Sequence, residues 1–217
     1  MRFGVLGTGR VGRTIGGKLV ALGHEVTLGA RDRGNETAAA WAAESGHGAQ
    51  AGAFVEAAAD AEVIVNATAG VHSIEALRSC GTSSLEGKVL LDVSNPLDPS
   101  GGFPPRILAS SDDSLGEQIQ RAFPGARVVK TLNTMSCDVM VNPNLAPGGA
   151  VFVSGNDASA KRQAADILEQ FGWAPEDVVD LGDIAAARGL EMYVQLWLGM
   201  MQVLGTPHFN IQLVQAE

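Results

Sequence analysis

Three glycines near the start of the chain have the spacing of a turn that binds a dinucleotide. Gly7, Gly9 and Gly12 form a Gly-x-Gly-x-x-Gly pattern between an apolar segment, residues 3–6, and a helix-like stretch, residues 10–22. The first glycine permits the tight turn, the second lets a pyrophosphate approach the backbone, and the third lets helix and strand pack closely. Because the pattern follows a strand and opens a helix with free N–H groups, it predicts dinucleotide binding rather than a turn without a ligand.

The end of the second predicted strand indicates which dinucleotide binds. A site for NAD usually has Asp or Glu at this tip, where the carboxylate holds the ribose hydroxyls. Here residues 29–33 read Gly-Ala-Arg-Asp-Arg, and a guanidinium matches phosphate geometry or stacks on adenine. We therefore expect Arg31 and Arg33 to bind the 2′-phosphate of NADP, with a further hydroxyl donor from Thr8. Two alternatives are that the arginines are solvated loop charges, or that Asp32 turns toward a ribose.

Candidate substrate residues follow three later strands, because ligands of such sheets bind outside the carboxyl ends of strands. These ends carry residues 66–70, 94–97 and 132–135, which are small, polar or turn-forming. Asn95 and Asn133 are candidates to hydrogen-bond a carboxamide or carbonyl, with turn stabilisation as an equal alternative. His72 and Met135 lie close to these ends and are further candidates, although a helix N-cap or a solvated loop position is the favoured interpretation of the histidine.

No segment offers an evident proton donor, so the sequence leaves the catalytic residue unassigned. A ketone or imine reductase usually positions Lys, Tyr, His or Asp for this task. Lys130 lies inside a predicted strand, and the single tyrosine, Tyr193, lies in a C-terminal helix without a Tyr-x-x-x-Lys context. A flavin-like acceptor needs less, because hydride passes between stacked rings and the ring's proton can come from solvent. The pattern therefore favours transfer from ring to ring.

Composition restricts the class of partner. The 217 residues carry a net charge of −9, whereas a general nucleic-acid binder needs a basic face. Cys80 and Cys137 lie outside any Cys/His cluster, which predicts no metal site and indicates reduced thiols of a cytoplasmic protein. The first strand begins too near Met1 for a signal peptide. The most apolar stretch, residues 190–205, is too short and too polar to span a bilayer, so no membrane partner is expected.

Strand-like and helix-like segments alternate along the chain. This alternation predicts an α/β fold with a doubly wound parallel sheet of the Rossmann type. Residues 1–182 are expected to form the NADP-binding domain. Residues 98–113 form the longest irregular segment, and long loops of this kind often border a binding site.

The C-terminal part, residues 183–217, is expected to be a helix and a strand that serve as an acceptor cap or a dimer surface. Residues 209–214 alternate and predict the strand. In the helix, Met192, Leu196 and Met200 share one face, a pattern more typical of core packing than of a cofactor site. The apolar composition of the helix predicts a homodimer.

Several segments occur in the order found in one known family. They are the glycine turn at residues 7–12 and the segments 22–26, 29–31, 129–134, 153–157 and 187–191. With them the chain resembles the NADPH-dependent oxidoreductases of the deazaflavin coenzyme F420 over nearly its whole length. It departs from the family at residues 67–70, which replace a bulkier turn that contains proline.

The resemblance implies hydride transfer between NADP(H) and coenzyme F420 as small-molecule acceptor, and it implies roles for matching positions. The 2′-phosphate end would meet Thr8, Ala30 and Arg31. The pyrophosphate would meet Gly9, Arg10 and Val11. The nicotinamide side would be lined by Ala67, Thr68 and the turn Ser94-Asn95-Pro96.

Two other hypotheses remain open on the sequence alone. The protein could be an NADPH-dependent reductase of a flavin, a metal chelate or a small imine or carbonyl. It could also be a non-catalytic sensor that binds NADP(H).

Overall fold

The computed structural model describes residues 1–108 and 110–215, and it contains ten strands in that part of the chain. Ala109 of the predicted segment 98–113, and the last two residues of the predicted segment 183–217, lie outside the described residues. The strands are β1 Arg2–Leu6, β2 Glu25–Ala30, β3 Ala49–Ala53, β4 Val63–Asn66, β5 Val89–Asp92, β6 Leu97–Asp98, β7 Arg106–Ile107, β8 Arg127–Thr131, β9 Val151–Ser154 and β10 Val178–Asp180.

Eight of these strands form one sheet, in the order β10-β9-β8-β5-β4-β1-β2-β3. All neighbours are parallel except β8 and β9, which run antiparallel with Thr131 opposite Val153. The predicted α/β class with a mostly parallel, doubly wound sheet is confirmed. The reversal of β9 brings its first residue to the edge where β5 and β8 end, and this edge carries much of the candidate site.

The helices cover both faces of the sheet, as a doubly wound fold requires. They are α1 Arg10–Ala21, α2 Glu36–Ser45, α3 Phe54–Ala59, α4 Ser73–Ser79, α5 Leu115–Ala122, α6 Cys137–Val141, α7 Ala158–Phe171 and α8 Ala187–Leu204. One apolar cluster packs α1, α2, α6 and α7 against the sheet, and a second packs α3, α4, α5 and the start of α8 against the other face. Alternate residues of one strand divide between the two, as Val5 and Leu6 do.

Strand β1 lies at the point where the strand order reverses. Val5 is opposite Leu28 of β2 on one side and Val65 of β4 on the other. Chain connections leave β1 in opposite directions here, so a crevice opens beyond the carboxyl ends of the strands. The glycine turn directly follows β1 and therefore lies in this crevice.

The predicted terminal strand at residues 209–214 is wrong. Phe209 stacks on Trp197 of α8, with ring centroids 5.4 Å apart, and Asn210 Nδ2 donates to the Ala150 carbonyl. The Ile211 carbonyl accepts one hydrogen bond from the Ala150 N–H, at 2.7 Å, and Val214 is 85% exposed. Side-chain contacts to α8 and the start of β9, rather than a strand ladder, hold this segment.

The predicted core face of the C-terminal helix is also wrong. The segment is helical, as the spacing of its apolar residues predicts. However, α8 buries Leu190, Val194 and Leu198, while Met192 and Leu196 are 48% and 61% exposed. The helix is apolar on two sides, so periodicity alone could not select the buried one. Among the described residues, no helix combines the length and the hydrophobicity that crossing a membrane requires.

Candidate functional site

The glycine turn has the geometry that its sequence predicts. Gly7 has a φ of +113°, and its N–H donates to the Gly29 carbonyl at 3.0 Å, which ties the turn to β2. A Cβ on Gly12 would collide with the carbonyl of Gly7, whereas no described atom lies within 4 Å of the Cβ position of Gly9. The turn therefore needs glycine for its own packing at Gly12, and at Gly9 it leaves space beside the backbone.

Helix α1 begins directly after this turn with its N–H groups available. Gly9 is the N-cap, and no described side chain caps this end of the helix. A helix N-terminus with free N–H groups and a positive dipole end attracts anions. Together with the space beside Gly9, this arrangement fits a pyrophosphate.

A cleft of about 580 Å³ extends from the glycine turn along the ends of β2 and β4. Its lining residues are Gly7, Thr8, Gly9, Ala30, Arg31, Asp32, Asn35, Phe54, Ala67, Thr68, Ala69, His72, Glu75, Ala76 and Ser79. The structure thus brings together the predicted residues of the turn, the β2 end and the β4 end. It places His72 on this cleft as an exposed residue rather than beside the other substrate candidates.

The two candidate arginines differ in their surroundings. Arg31 is exposed and lines the cleft, and so does Asp32. Arg33 points to α3, where its Nε lies 3.2 Å from Oε1 of Glu56. Arg31 is therefore better placed than Arg33 for a phosphate in the cleft, and Asp32 remains available to a ribose.

Arg10 presents its backbone and its side chain to different partners. Its guanidinium donates to Oδ2 of Asp138 on α6 at 2.7 Å, and Nε2 of His208 lies 3.1 Å from the same oxygen. The hydrogen bond with His208, and then the charge of Arg10, lower the pKa of Asp138. The guanidinium of Arg10 therefore faces α6, whereas its backbone N–H, like that of Val11, lies at the N-terminal end of α1. The sequence did not single out Asp138 or His208 as partners of Arg10.

The turns after β4 and β5 pack against each other. A Cβ on Gly70 would collide with the Asn95 carbonyl, and Pro96 is buried. Thr68 donates from Oγ1 to Oδ1 of Asn66 at 2.7 Å, which fixes the start of the 67–70 turn. The turns that carry the predicted nicotinamide-side residues Thr68, Asn95 and Pro96 are therefore in contact, although only Thr68 of these three lines the cleft.

Asn133, a buried residue just after β8, binds to the turn that follows β5. Its Nδ2 donates to Oδ1 of Asn95 at 2.9 Å and to the Leu190 carbonyl of α8 at 3.0 Å, while Asn95 donates back to the Asn133 carbonyl. The preceding residue, Leu132, has a φ of +62°, a left-handed conformation that a branched side chain rarely adopts. Met135 is 5% exposed and packs in the core, so the structure does not place it with the other substrate candidates.

A buried charged cluster below these turns was not predicted. Nζ of Lys130 lies 2.8 Å from Oδ2 of Asp92 and 2.9 Å from Oε1 of Glu191, and all three side chains are fully buried. Burial alone would lower the pKa of Lys130, but the two carboxylates outweigh it and hold the pKa above its ordinary value. Lys130 is therefore charged at neutral pH. A lysine amid the apolar residues of β8 was the one signal that could have prompted a search for its partners.

The carboxylates of this cluster have further donors. Oδ1 of Asp92 accepts from Asn66 Nδ2 at 2.9 Å and from Ser94 Oγ at 2.6 Å. Glu191 accepts hydrogen bonds from the N–H groups of Leu115 and Gly116, at 2.8 and 3.0 Å. It therefore caps the N-terminus of α5, although it is far from that helix in the sequence. The cluster therefore connects β4, β5, β8, α5 and α8.

The arrangement fits a dinucleotide, and it contains few side chains that could donate a proton to a substrate. In residues 1–108 and 110–215, no three His, Cys, Asp or Glu side chains are grouped as a metal site would need. Tyr193 is half-buried, and burial raises the pKa of its phenol. The residues that line the cleft can bind and orient a dinucleotide.

Comparisons with known proteins agree with this geometry. A family described as NADP oxidoreductase, coenzyme F420-dependent, matches residues 2–96. A crystal structure of a candidate F420-dependent NADP reductase from Arthrobacter sp. FB24 is 49% identical, with a TM-score of 0.94 over 99% of this chain and 100% of that chain. The F420-dependent NADP reductase of Methanothermobacter marburgensis is 28% identical over 211 residues, 92% of each chain.

A further relative belongs to a much longer protein. The metalloreductase STEAP3 of Rattus norvegicus is 28% identical over 190 residues, which are 88% of this chain and 36% of the rat protein. The chain thus spans about a third of the length of that relative. The family match to the dinucleotide-binding half and the full-length similarity to the Arthrobacter structure lead to one conclusion: this chain belongs to the family of coenzyme F420-dependent NADP oxidoreductases.

Proposed function

We propose that this protein transfers a hydride between NADP(H) and the deazaflavin coenzyme F420. The observation that carries the proposal is the cleft in which an uncapped helix N-terminus and the exposed Arg31 lie along one surface. Two anion-binding features in one cleft match the two anionic parts of NADP, the pyrophosphate and the 2′-phosphate. The identity of the acceptor, coenzyme F420, is inferred from the family to which the chain belongs.

The glycine turn would hold the pyrophosphate through the N–H groups of α1, in the space beside Gly9. Arg31 and Thr8 would bind the 2′-phosphate, with Ala30 closing the end of β2. The nicotinamide would lie toward Ala67, Thr68 and the turn at Asn95 and Pro96. When bound, the nicotinamide supplies or receives the hydride, and the protein orients the two rings.

The lack of an assigned proton donor is consistent with this acceptor. Hydride transfer between two stacked rings needs orientation and dry surroundings more than a general acid. The side chain of Asn133 donates to the side-chain oxygen of Asn95, and Asn95 donates to the backbone carbonyl of Asn133, which fixes the turns beside the proposed nicotinamide position. Neither group gains or loses a proton near neutral pH.

A second candidate function is reduction of a metal chelate or a flavin by NADPH. The observation in its favour is the similarity to the metalloreductase STEAP3 over 88% of this chain. Because the chain spans 36% of that relative, the similarity concerns only a part of that protein.

The test mixes purified protein with oxidised coenzyme F420 and NADPH, with NADH in parallel, and follows the visible absorbance. Fast bleaching with NADPH and little with NADH is the expected result. If NADPH binds and no bleaching follows, the acceptor assignment is wrong, and free flavins, ferric chelates and small imines become the next substrates to test. Tight binding without turnover on any acceptor would indicate an NADP(H) sensor.

We also propose that the protein is a cytoplasmic homodimer. The exposed apolar face of α8, with Met192, Leu196 and Val203, is the proposed contact between two copies. Gel filtration is expected to give twice the mass of the 22.4 kDa chain, and Leu196→Ser is expected to shift the protein toward the monomer. A wild-type monomer at working concentration would contradict the dimer.

A further inference from the structure

Lys130 has three acceptor oxygens around its ammonium group inside the protein. An ammonium group has three N–H donors. Its Nζ lies 2.8 Å from Asp92 Oδ2, 2.9 Å from Glu191 Oε1 and 2.6 Å from the Ser94 carbonyl oxygen. The ammonium group is fully buried among these three oxygens, so Lys130 is not suited to protonate a substrate.

The three acceptors belong to elements that meet at the proposed reaction centre. The Ser94 carbonyl starts the turn that continues into Asn95 and Pro96, on the proposed nicotinamide side. Glu191 lies in the first turns of α8, part of the C-terminal segment that is expected to serve as an acceptor cap or a dimer surface. A single ammonium group therefore bridges the proposed nicotinamide side and α8.

A parallel connection joins the same two sides. Asn133 donates to the carbonyl of Leu190, the neighbour of Glu191 on α8, and to the side chain of Asn95. Two consecutive residues of α8 are thus bound to Lys130 in β8 and to Asn133 just after it. Their bonds restrain both translation and rotation of the start of α8.

A buried ion cluster is an inefficient way to stabilise a core, because apolar side chains of similar volume often do so equally well. Its directional bonds, however, fix geometry more tightly than apolar contacts do. Hydride transfer depends steeply on the separation of donor and acceptor. The cluster lies where such precision has an effect on the reaction.

We propose that Lys130 is a positioning residue, which holds the turn at residues 94–96 and the first turns of α8 at a fixed separation so that the two rings meet. This inference rests on the proposed function. Lys130 acts through Ser94 and Glu191 and does not touch the reactants.

The test compares Lys130→Met and Glu191→Gln with wild type, at a temperature well below the Tm of each variant. The control is Lys161→Met, since Lys161 pairs with Asp180 at 2.7 Å on the far edge of the sheet. We measure kcat and KM with NADPH and coenzyme F420, and the fluorescence anisotropy of the nicotinamide of bound NADPH.

Both cluster variants are expected to lower kcat by about 10- to 100-fold, to leave KM for NADPH unchanged and to lower the anisotropy, because the ring is held less firmly. The control is expected to leave all three unchanged. An unchanged kcat in the cluster variants, or a loss that appears equally in NADPH affinity, would overturn the proposal. Glu191→Gln, which keeps the side-chain shape, decides the matter if Lys130→Met does not fold.

The failure of the proposed function can be separated from the failure of this inference. If wild-type protein does not reduce coenzyme F420, the acceptor is wrong, and the anisotropy of bound NADPH still reports on positioning. Lower anisotropy in both cluster variants would then support the inference, and unchanged anisotropy would refute it.

Discussion

The two sides of the candidate site use their polar groups in opposite ways. On the cofactor side, Arg31 is exposed on an open cleft, and α1 begins without a side-chain cap among the described residues. Between the ends of β5 and β8 and helix α8, Lys130, Asp92 and Glu191 are fully buried, and Lys130 binds both carboxylates. The first side keeps donors available for a ligand, and the second uses them to hold the protein's own elements in place.

This difference assigns ligand binding to the open side and the positioning of the protein's own elements to the buried side. Substitutions on the open side should change ligand affinity with little effect on folding. Substitutions on the buried side should change folding and orientation with little effect on affinity. Four predictions test this division, and they run from the largest expected effect to the smallest.

The largest effect is expected from Lys130→Met on the stability of the fold. Removing the ammonium leaves two carboxylates buried without their shared partner, and the free energy of unfolding should fall by about 3–5 kcal/mol. Denaturant unfolding measures this loss. Lys161→Met removes the cation of a pair whose Asp180 side chain is 53% exposed, and it should lower stability by less than about 1 kcal/mol. Similar losses in both variants would remove the distinction between the two kinds of pair.

Gly9→Ala should do the reverse, and reduce affinity without reducing stability. Gly9 has a φ of −68°, which alanine adopts readily, and its Cβ would stand in open space. The added methyl group would occupy the approach of the pyrophosphate and weaken NADPH binding by about 2–3 kcal/mol. Gly12→Ala is the matched control, because its Cβ would collide with the Gly7 carbonyl and should destabilise the fold as well. If Gly9→Ala binds NADPH as wild type does, the pyrophosphate lies elsewhere.

The same division explains how much of the site the sequence could predict. The glycine turn and the arginines after β2 are local patterns, and the structure places them in one cleft. Lys130, Asp92 and Glu191 are far apart in the chain, and the residues next to each of them form no pattern that predicts the cluster. Only the sheet order, which puts β5 beside β8, brings the first two together, and the direction of α8 adds the third.

The fold itself was predictable where the signal was local. Buried strands such as β4 and β5 are continuous apolar segments, and their bounds follow from composition. The predicted terminal strand failed because the stacking of Phe209 on Trp197 outweighs the alternation of residues 209–214. The burial of Leu190 rather than Met192 in α8 likewise depends on tertiary contacts.

Arg31→Ala should weaken NADPH binding by about 1.5–2 kcal/mol, close to a 10- to 30-fold rise in Kd. The affinity for NADH should stay the same, because NADH has no 2′-phosphate. Titration of nicotinamide fluorescence measures both constants. Arg33→Ala is the comparison variant and should have a smaller effect, since Arg33 lies against Glu56. An equal loss for NADPH and NADH would refute the assignment of the 2′-phosphate to Arg31.

The smallest effect concerns the pH dependence of stability near α5. The hydrogen bond from Arg188 outweighs the opposing effect of burial and, with bonds from Ser114, lowers the pKa of Glu117 to about 2. A depressed carboxyl pKa means that ionised Glu117 stabilises the fold above its ordinary pKa of 4.5, and that this stability is lost as the pH falls toward 2. Glu117→Gln should therefore be less stable by about 1.5 kcal/mol at pH 7.

The pH profile provides the control for this variant. The stability difference between Glu117→Gln and wild type should stay constant above about pH 5 and shrink between pH 4.5 and 2. Unfolding by urea at several pH values measures it. A difference that does not change down to pH 2 would mean that the charge of Glu117 has no part in stability.

The place of Glu191 in the chain has a consequence for biosynthesis. Chains emerge from the ribosome N-terminal end first, and their domains fold as units. The strands that bury Lys130 are complete at residue 154, but the second carboxylate for its ammonium group arrives 37 residues later, in the last helix. Until α8 is made, the chain lacks the second carboxylate for Lys130 and the acceptor for the N–H groups at the start of α5. The last helix to be synthesised therefore supplies a carboxylate that pairs with a buried lysine of the sheet that precedes it.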